Sequence, residues 1–277
     1  MNPYQNTGKA APIGIFDAGP GGLAVLKYMM EILPAENVLY LGDTARQPYG
    51  PQPVDKVRGY TIEACRYLVQ QGVKAILIGC NTASVAGLDE GHKTFTEVPI
   101  LGMIEPGVRA ALRSGDARNI GVWGTELTVE SHAYRDAIQQ AAADKAVLEV
   151  ACSDLLRLAE LGQIQDKPLI TGLVRRYLEP FDAIGMDTLI FGCTDLTCVR
   201  PETEQAAGAG VRIIDPAEEI VQDIREILGS QSLLNEQSPA DRAYDICITG
   251  ENTQAFSSFA EAFLGLKSVH VRQVTIT

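Results

Sequence analysis

The sequence is short of aromatic residues, of positive charge and of cysteine, and each shortage narrows what the chain can be. Phe, Trp and Tyr make up 6% of 277 residues, with a single Trp, so the core must be filled by small and aliphatic side chains. Lys and Arg number 23 against 35 Asp and Glu, a formal net charge of −12. That balance lacks the basic face that DNA, RNA or an anionic membrane surface requires, so neither nucleic acid nor membrane is expected as a partner. No apolar run approaches the roughly 18 residues of a membrane span. The opening "MNPYQNTGKAAP" has no apolar stretch after its lysine and does not read as a secretory signal. Six cysteines are too sparse for a disulfide framework in a chain of this length, so a cytoplasmic protein with reduced thiols is expected.

What is present is the composition of a globular protein with a real core, 46% apolar and 21% charged, long enough for one large domain or two ordinary ones. Short apolar runs alternate with stretches of helical period, the pattern of α/β architecture. Strands are predicted at 13–16, 37–41, 74–78, 98–103, 119–123, 188–191, 211–214 and 245–249, and helices at 22–33, 54–72, 129–143, 169–182 and 217–229. The order of motifs then repeats. "IGIFDAGPGG" has a partner in "IGVWGTELTVES", "ILIGCNTAS" in "LIFGCTDLT", and "VPILGMIEPGVRAA" in "VRIIDPAEEIVQDI". The pairs Gly14/Gly121, Cys80/Cys193 and Pro106/Pro216 are offset by 107, 113 and 110 residues. Near-constant offsets predict two similar three-layer α/β lobes with mainly parallel sheets that face each other across a cleft. The first is expected over 12–105 and the second over 106–214, with 215–277 packing back onto the first. Open parallel sheets bind ligands beyond the carboxyl ends of their strands, which is where Cys80 and Cys193 fall, one on each wall.

Several motifs are candidates for chemistry. "GPGGLA" at 19–24 formally fits a dinucleotide fingerprint. Pro20, however, removes a backbone donor from the turn, and Asp17 at the strand end would oppose a phosphate, so a tight turn presenting Asp17 is the better reading. Cys65, Cys152 and Cys247 read as packing residues. Cys80 and Cys193 differ, because each precedes polar residues at a predicted helix start, a position that lowers a thiol pKa. Cys193 and Cys198 form one C-x4-C pair, with His92, His132 and His270 scattered, which is a poor zinc signature; no metal is expected. "CTDLTCVR" puts six residues between Cys193 and Arg200, one too many for a phosphatase loop. What remains is a pair of facing acid/base thiols, suited to removing a proton from one side of a carbon and returning one to the other. That is racemisation or epimerisation without a cofactor.

Taken together, "FDAGPGGLAVL", "YLGDTARQPYG", "ILIGCNTAS", "PILGMIEPG", "IGVWGTELTVESHAY", "DTLIFGCTD", "IIDPAEEI" and "ITGENTQAF" resemble the glutamate racemase branch of the aspartate/glutamate racemase superfamily, in the family's order over about residues 12–265. The resemblance implies a cofactor-independent isomerase making D-glutamate for cell-wall peptidoglycan, acting on a small acidic amino acid or dicarboxylate, and a homodimer. It implies that Cys80 exchanges the α-proton on the D side and Cys193 on the L side, with Asp17 beside Cys80, and Asp195 and Glu160 in the surroundings of Cys193. The substrate would be met by Asp17, Ala18, Pro48, Tyr49, Gly50, Asn81, Thr82, Thr125, Thr128, Thr194 and Asp195. Hydroxyl, amide and backbone donors can hold two carboxylates with few arginines. Arg46 is the cation within these motifs, as substrate contact or as structural ion-pair partner.

Two positions depart from the family pattern. Ala18 stands where the family has serine, and Asp195 where it has histidine. An aspartate beside Cys193 favours the neutral thiol and makes it the poorer base of the two. The alternatives are a diverged enzyme on another acidic amino acid or dicarboxylate, as aspartate racemase, isomerase or decarboxylase, or a non-catalytic ligand-binding relative.

Overall fold

The computed structural model describes residues 8–113 and 115–277. The opening residues 1–7 of the segment read against a secretory signal lie outside those described.

Strands β1 (Ile13–Asp17), β2 (Val38–Gly42), β3 (Ala75–Ile78), β4 (Ile100–Leu101), β5 (Asn119–Gly124), β6 (Ala146–Ala151), β7 (Thr188–Gly192), β8 (Arg212–Ile214), β9 (Tyr244–Ile248) and β10 (Val271–Gln273) form two sheets. One has the order β10-β9-β2-β1-β3-β4 and the other β6-β5-β7-β8, and every pairing is parallel. The predicted α/β class of two parallel-sheet units is what the chain adopts. The repeat read from the sequence is a repeat of topology: 2-1-3-4 in the first sheet corresponds to 6-5-7-8 in the second. Gly14 of β1 lies opposite Ile76 of β3, and Gly121 of β5 opposite Leu189 of β7.

A parallel sheet covered by helices on both faces has no solvent side, so its strands read as continuous apolar runs rather than alternations. β1, β2, β3 and β7 are buried at every position. Each sheet carries an apolar cluster on either face. Tyr40, Leu77 and Ile220 lie in one cluster of the first sheet and Phe16, Leu41 and Ile78 in the other. Trp123 and Phe191 belong to one cluster of the second sheet, Val122 and Ile190 to the other.

All eight predicted strands are present, and β6 and β10 are additional. Both are edge strands: "AVLEVA" is exposed to half-buried throughout and "VRQ" is only three residues long, so neither shows a core pattern. The predicted helix 129–143 is two helices, Glu126–Glu130 and Ala133–Ala141, because His132 takes a left-handed φ of 56°. Its Nδ1 lies 2.8 Å from Glu149 of β6, a contact that a continuous helix would not direct. The predicted helix 169–182 runs over Lys167–Leu178 and tightens to a 3-10 turn at Glu179–Ile184, where Pro180 withholds a backbone donor.

Helices Ile104–Leu112 and Pro216–Ser230 follow β4 and β8 and carry the chain from one sheet to the other and back. They are the two acidic-proline steps of the repeat. They pack on each other and are tied by Arg109 to Asp223 and Arg113 to Glu219. Among the described residues no helix is long and apolar enough to cross a membrane.

Below the first sheet, Lys74 and Glu36 form a buried ion pair at 2.6 Å. The Lys74 ammonium also donates to the Lys9 and Leu233 carbonyls, and Glu36 accepts the Asn235 N–H. Removing one member of a buried pair strands the other's charge. Glu36→Ala should therefore destabilise the fold by about 3 kcal/mol in denaturant titration.

Candidate active site

In an open α/β sheet the ligand crevice forms where successive crossovers leave the sheet in opposite directions. Here those points lie between β1 and β3 and between β5 and β7. The residues at these strand ends are Asp17 and Cys80 in the first sheet, and Thr125 and Cys193 in the second. Both thiols are buried, at 8% exposure each.

The two cysteine turns differ. Cys80 caps the helix Asn81–Thr94, and its Sγ accepts the Ala83 N–H at 3.5 Å. Cys193 precedes a 3-10 turn, Thr194–Val199, and its Sγ is 3.5 Å from Asp195 Oδ2, with the Asp195 backbone as its hydrogen-bond donor. The expectation that both thiols are acidified by a helix start is corrected by these surroundings. Burial pushes Cys80 up, with Asp17 and then Asp195 adding to it, against hydrogen bonds from the Ala83 and Ala18 backbones. Burial pushes Cys193 up as well, followed by the charges of Asp195, Cys80 and Glu160. Loss of solvation and nearby carboxylates outweigh the few backbone donors.

The carboxyl groups are raised with the thiols. Asp17 is pushed up to about 6 by burial, held back by hydrogen bonds from Gly19 and Thr194. Glu160, on the helix Ser153–Glu160, is pushed up to about 7 by burial and by Asp17. Asp195 is driven well up by burial, then by Asp17 and Glu160. Asp17, Cys80, Cys193, Asp195 and Glu160 thus form one electrostatic cluster from both sheets. Thr194 Oγ1 ties the walls by donating to Asp17 Oδ2 at 3.1 Å, and the Gly19 N–H donates to Oδ1 at 2.8 Å. Gly21 sits so close that a Cβ there would lie 2.6 Å from Thr194 Oγ1 and 2.8 Å from Asp195 Oδ1.

The hydroxyl-bearing residues also meet across the cleft. Thr82 Oγ1 is 2.9 Å from Thr125 Oγ1, which donates to Thr128 Oγ1 at 3.0 Å. Pro48, Gly50, Thr125 and Glu160 line a cleft of about 490 Å³ with Leu156 and Arg157. Ala18 is buried beside Cys80 and meets it through the backbone, so the missing serine hydroxyl leaves that contact in place. The Tyr49 hydroxyl donates to Asp43, and the residue packs in the same apolar cluster as Cys80. Arg46 pairs through Nε with Asp43 and through Nη1 with Glu63 and stacks over Tyr60, which supports the structural reading, while its buried Nη2 has no protein partner. His92 bonds the Ile100 carbonyl and His132 meets Glu149.

Sequence reasoning passed over Arg157, Tyr40 and Tyr134. Arg157 is an exposed cation beside Glu160 at the cleft, carried on a helix that has no motif. Tyr40 lies within an apolar strand, yet its hydroxyl donates to the Gly19 carbonyl at 2.5 Å and props the turn after Asp17. Tyr134 donates to Asn81 Oδ1 at 2.6 Å.

The profile of the Asp/Glu/Hydantoin racemase family matches residues 22–224. The chain belongs to this family. A glutamate racemase of Mycobacterium leprae is 37% identical over 256 residues, covering 92% of each chain. The crystal structure of a glutamate racemase isoform from Bacillus anthracis superposes with a TM-score of 0.91 at 32% identity, covering 96% of this chain and 98% of that one. A glutamate racemase from Francisella tularensis in complex with D-glutamate superposes with a TM-score of 0.88 at 28% identity, again over 96% and 98%. The sequence resemblance and the racemase fold therefore agree along nearly the whole chain.

Proposed function

We propose that this racemase-family chain is a cofactor-independent glutamate racemase using two bases, Cys80 and Cys193. The observation that carries the reading is the placement of one thiol at each of two equivalent strand ends, near enough for Cys80 to raise Cys193, with Asp17 acting on the first and Asp195 on the second. Cys80, assisted by Asp17, handles the α-proton of D-glutamate, and Cys193, with Asp195 and Glu160, that of L-glutamate. Asn81, Thr82, Thr125, Thr128 and Thr194 supply amide and hydroxyl groups to the substrate, with Ala18, Pro48, Tyr49 and Gly50 shaping the wall.

The raised thiol pKa values keep the donor thiol protonated and make thiolate on the base side scarce but strong. A thiolate held out of water is a stronger base toward a carbon acid than a solvated one, and the opposite thiol stays protonated as donor. Asp17, raised to about 6, is ionised near neutral pH and can accept the Cys80 proton. The product D-glutamate would serve cell-wall synthesis in the cytoplasm, and the working protein is proposed to be a homodimer. The lobes are proposed to be 12–105 with 215–277, and 106–214.

Asp195 and Ala18 favour a second reading, action on another acidic amino acid or dicarboxylate. Chiral chromatography of L- and D-glutamate and L- and D-aspartate after incubation with the purified protein separates the two. Convergence of both glutamate samples on an equal mixture, with aspartate far slower, is expected. Faster aspartate conversion, or none of either, would overturn the glutamate assignment.

A further inference from the structure

Tyr134 is fully buried, and its two ends touch both thiol-bearing turns. Its ring packs where Gly192, the residue before Cys193, leaves room: a Cβ on Gly192 would lie 3.3 Å from Tyr134 Cε2. On its other edge, a Cβ on Gly107 would lie 3.2 Å from Cε1, beside the crossing of the two inter-sheet helices. The hydroxyl donates to Oδ1 of Asn81, the residue after Cys80, at 2.6 Å, with the Met103 carbonyl at 3.4 Å. Asn81 is 1% exposed, and its Nδ2 has no protein partner.

A buried amide with its oxygen held and its nitrogen unpaired is a donor kept for an acceptor that arrives later. An Asn side chain can rotate by half a turn and exchange its oxygen and nitrogen. The Tyr134 hydroxyl disfavours that exchange by donating to Oδ1, since against a flipped amide its proton would have only the Met103 carbonyl, at 3.4 Å, as acceptor. The geometry points to Tyr134 as a positioning residue that locks the Asn81 amide with Nδ2 toward a substrate carboxylate, while its ring sets the distance between the Cys80 and Cys193 turns. Tyr134 touches no reacting atom in this account; it acts through Asn81. This inference rests on the glutamate reading above.

Three variants, Tyr134→Phe, Asn81→Ala and the double variant, test the inference against wild type in steady-state racemisation of both glutamate enantiomers, with melting curves alongside. Tyr134→Phe keeps the ring and removes the lock. KM for both enantiomers should rise about tenfold, the loss of one hydrogen bond's worth of binding, with a smaller change in kcat. The double variant should be no worse than Asn81→Ala alone, because the hydroxyl has no other route to substrate. Unchanged KM in Tyr134→Phe, or multiplicative losses in the double variant, would overturn the positioning role while leaving the racemase assignment intact. Loss of the fold on removing this one hydroxyl would make the residue structural and also overturn it. A wild type inactive on both enantiomers would overturn the glutamate reading, and this inference with it.

Discussion

Cys80→Ser and Cys193→Ser should each abolish inversion of glutamate, lowering kcat about 10³-fold or more in both directions. In the proposed mechanism the two thiols act from opposite sides, because the reaction needs a base on one face of the carbon and an acid on the other. A serine hydroxyl is too weak an acid to replace either partner. Because the enantiomers are equal in free energy, kcat/KM must fall alike from L and from D, so an effect confined to one direction would be inconsistent with inversion itself. Circular dichroism of glutamate solutions measures both rates. Loss of activity in Cys80→Ser with near-normal activity in Cys193→Ser would mean a single working thiol and a different reaction.

The second large effect is expected to be a gain. Asp195 is 3.5 Å from the Cys193 sulfur and is the leading charge that raises its pKa, after burial itself. A raised thiol pKa leaves less thiolate at a given pH, so wild-type activity should climb as pH rises above neutral. Asp195→His replaces a carboxyl group that opposes the thiolate whenever it is ionised with one that can be positive or relay a proton. Each unit by which the Cys193 pKa falls increases its thiolate fraction tenfold. Asp195→His should therefore raise kcat/KM about tenfold at neutral pH and move the alkaline-favouring limb of the pH profile to lower pH. An unchanged or lower rate would show that Asp195 is a working part of the site, as substrate-ammonium partner or as base, rather than a handicap.

How much of this was visible beforehand depends on range. The recurring spacing of Gly14/Gly121, Cys80/Cys193 and Pro106/Pro216 carried the duplicated topology, because buried parallel strands leave continuous apolar runs and their carboxyl ends fall at predictable places. β6 escaped notice because an edge strand half open to water has no such run. The break at His132 was hidden because a left-handed residue other than glycine carries no compositional mark. The site residues next to the cysteines were legible as motifs, but their electrostatics were not. A helix start next to a thiol suggests acidification, whereas the folded chain buries Cys80 among Asp17 and Asp195, brought together from 17, 80 and 195. Glu160 was placed there by resemblance alone. Arg157, Tyr40 and Tyr134 act at a distance that neither spacing nor periodicity encodes.

Two-sided proton transfer is the central claim, and proton NMR of L- and D-glutamate with the purified protein in deuterated water tests it most directly. The α-proton signal should disappear from both enantiomers, accompanied by inversion. Exchange from one enantiomer without inversion, or from neither with folded protein, would contradict the claim.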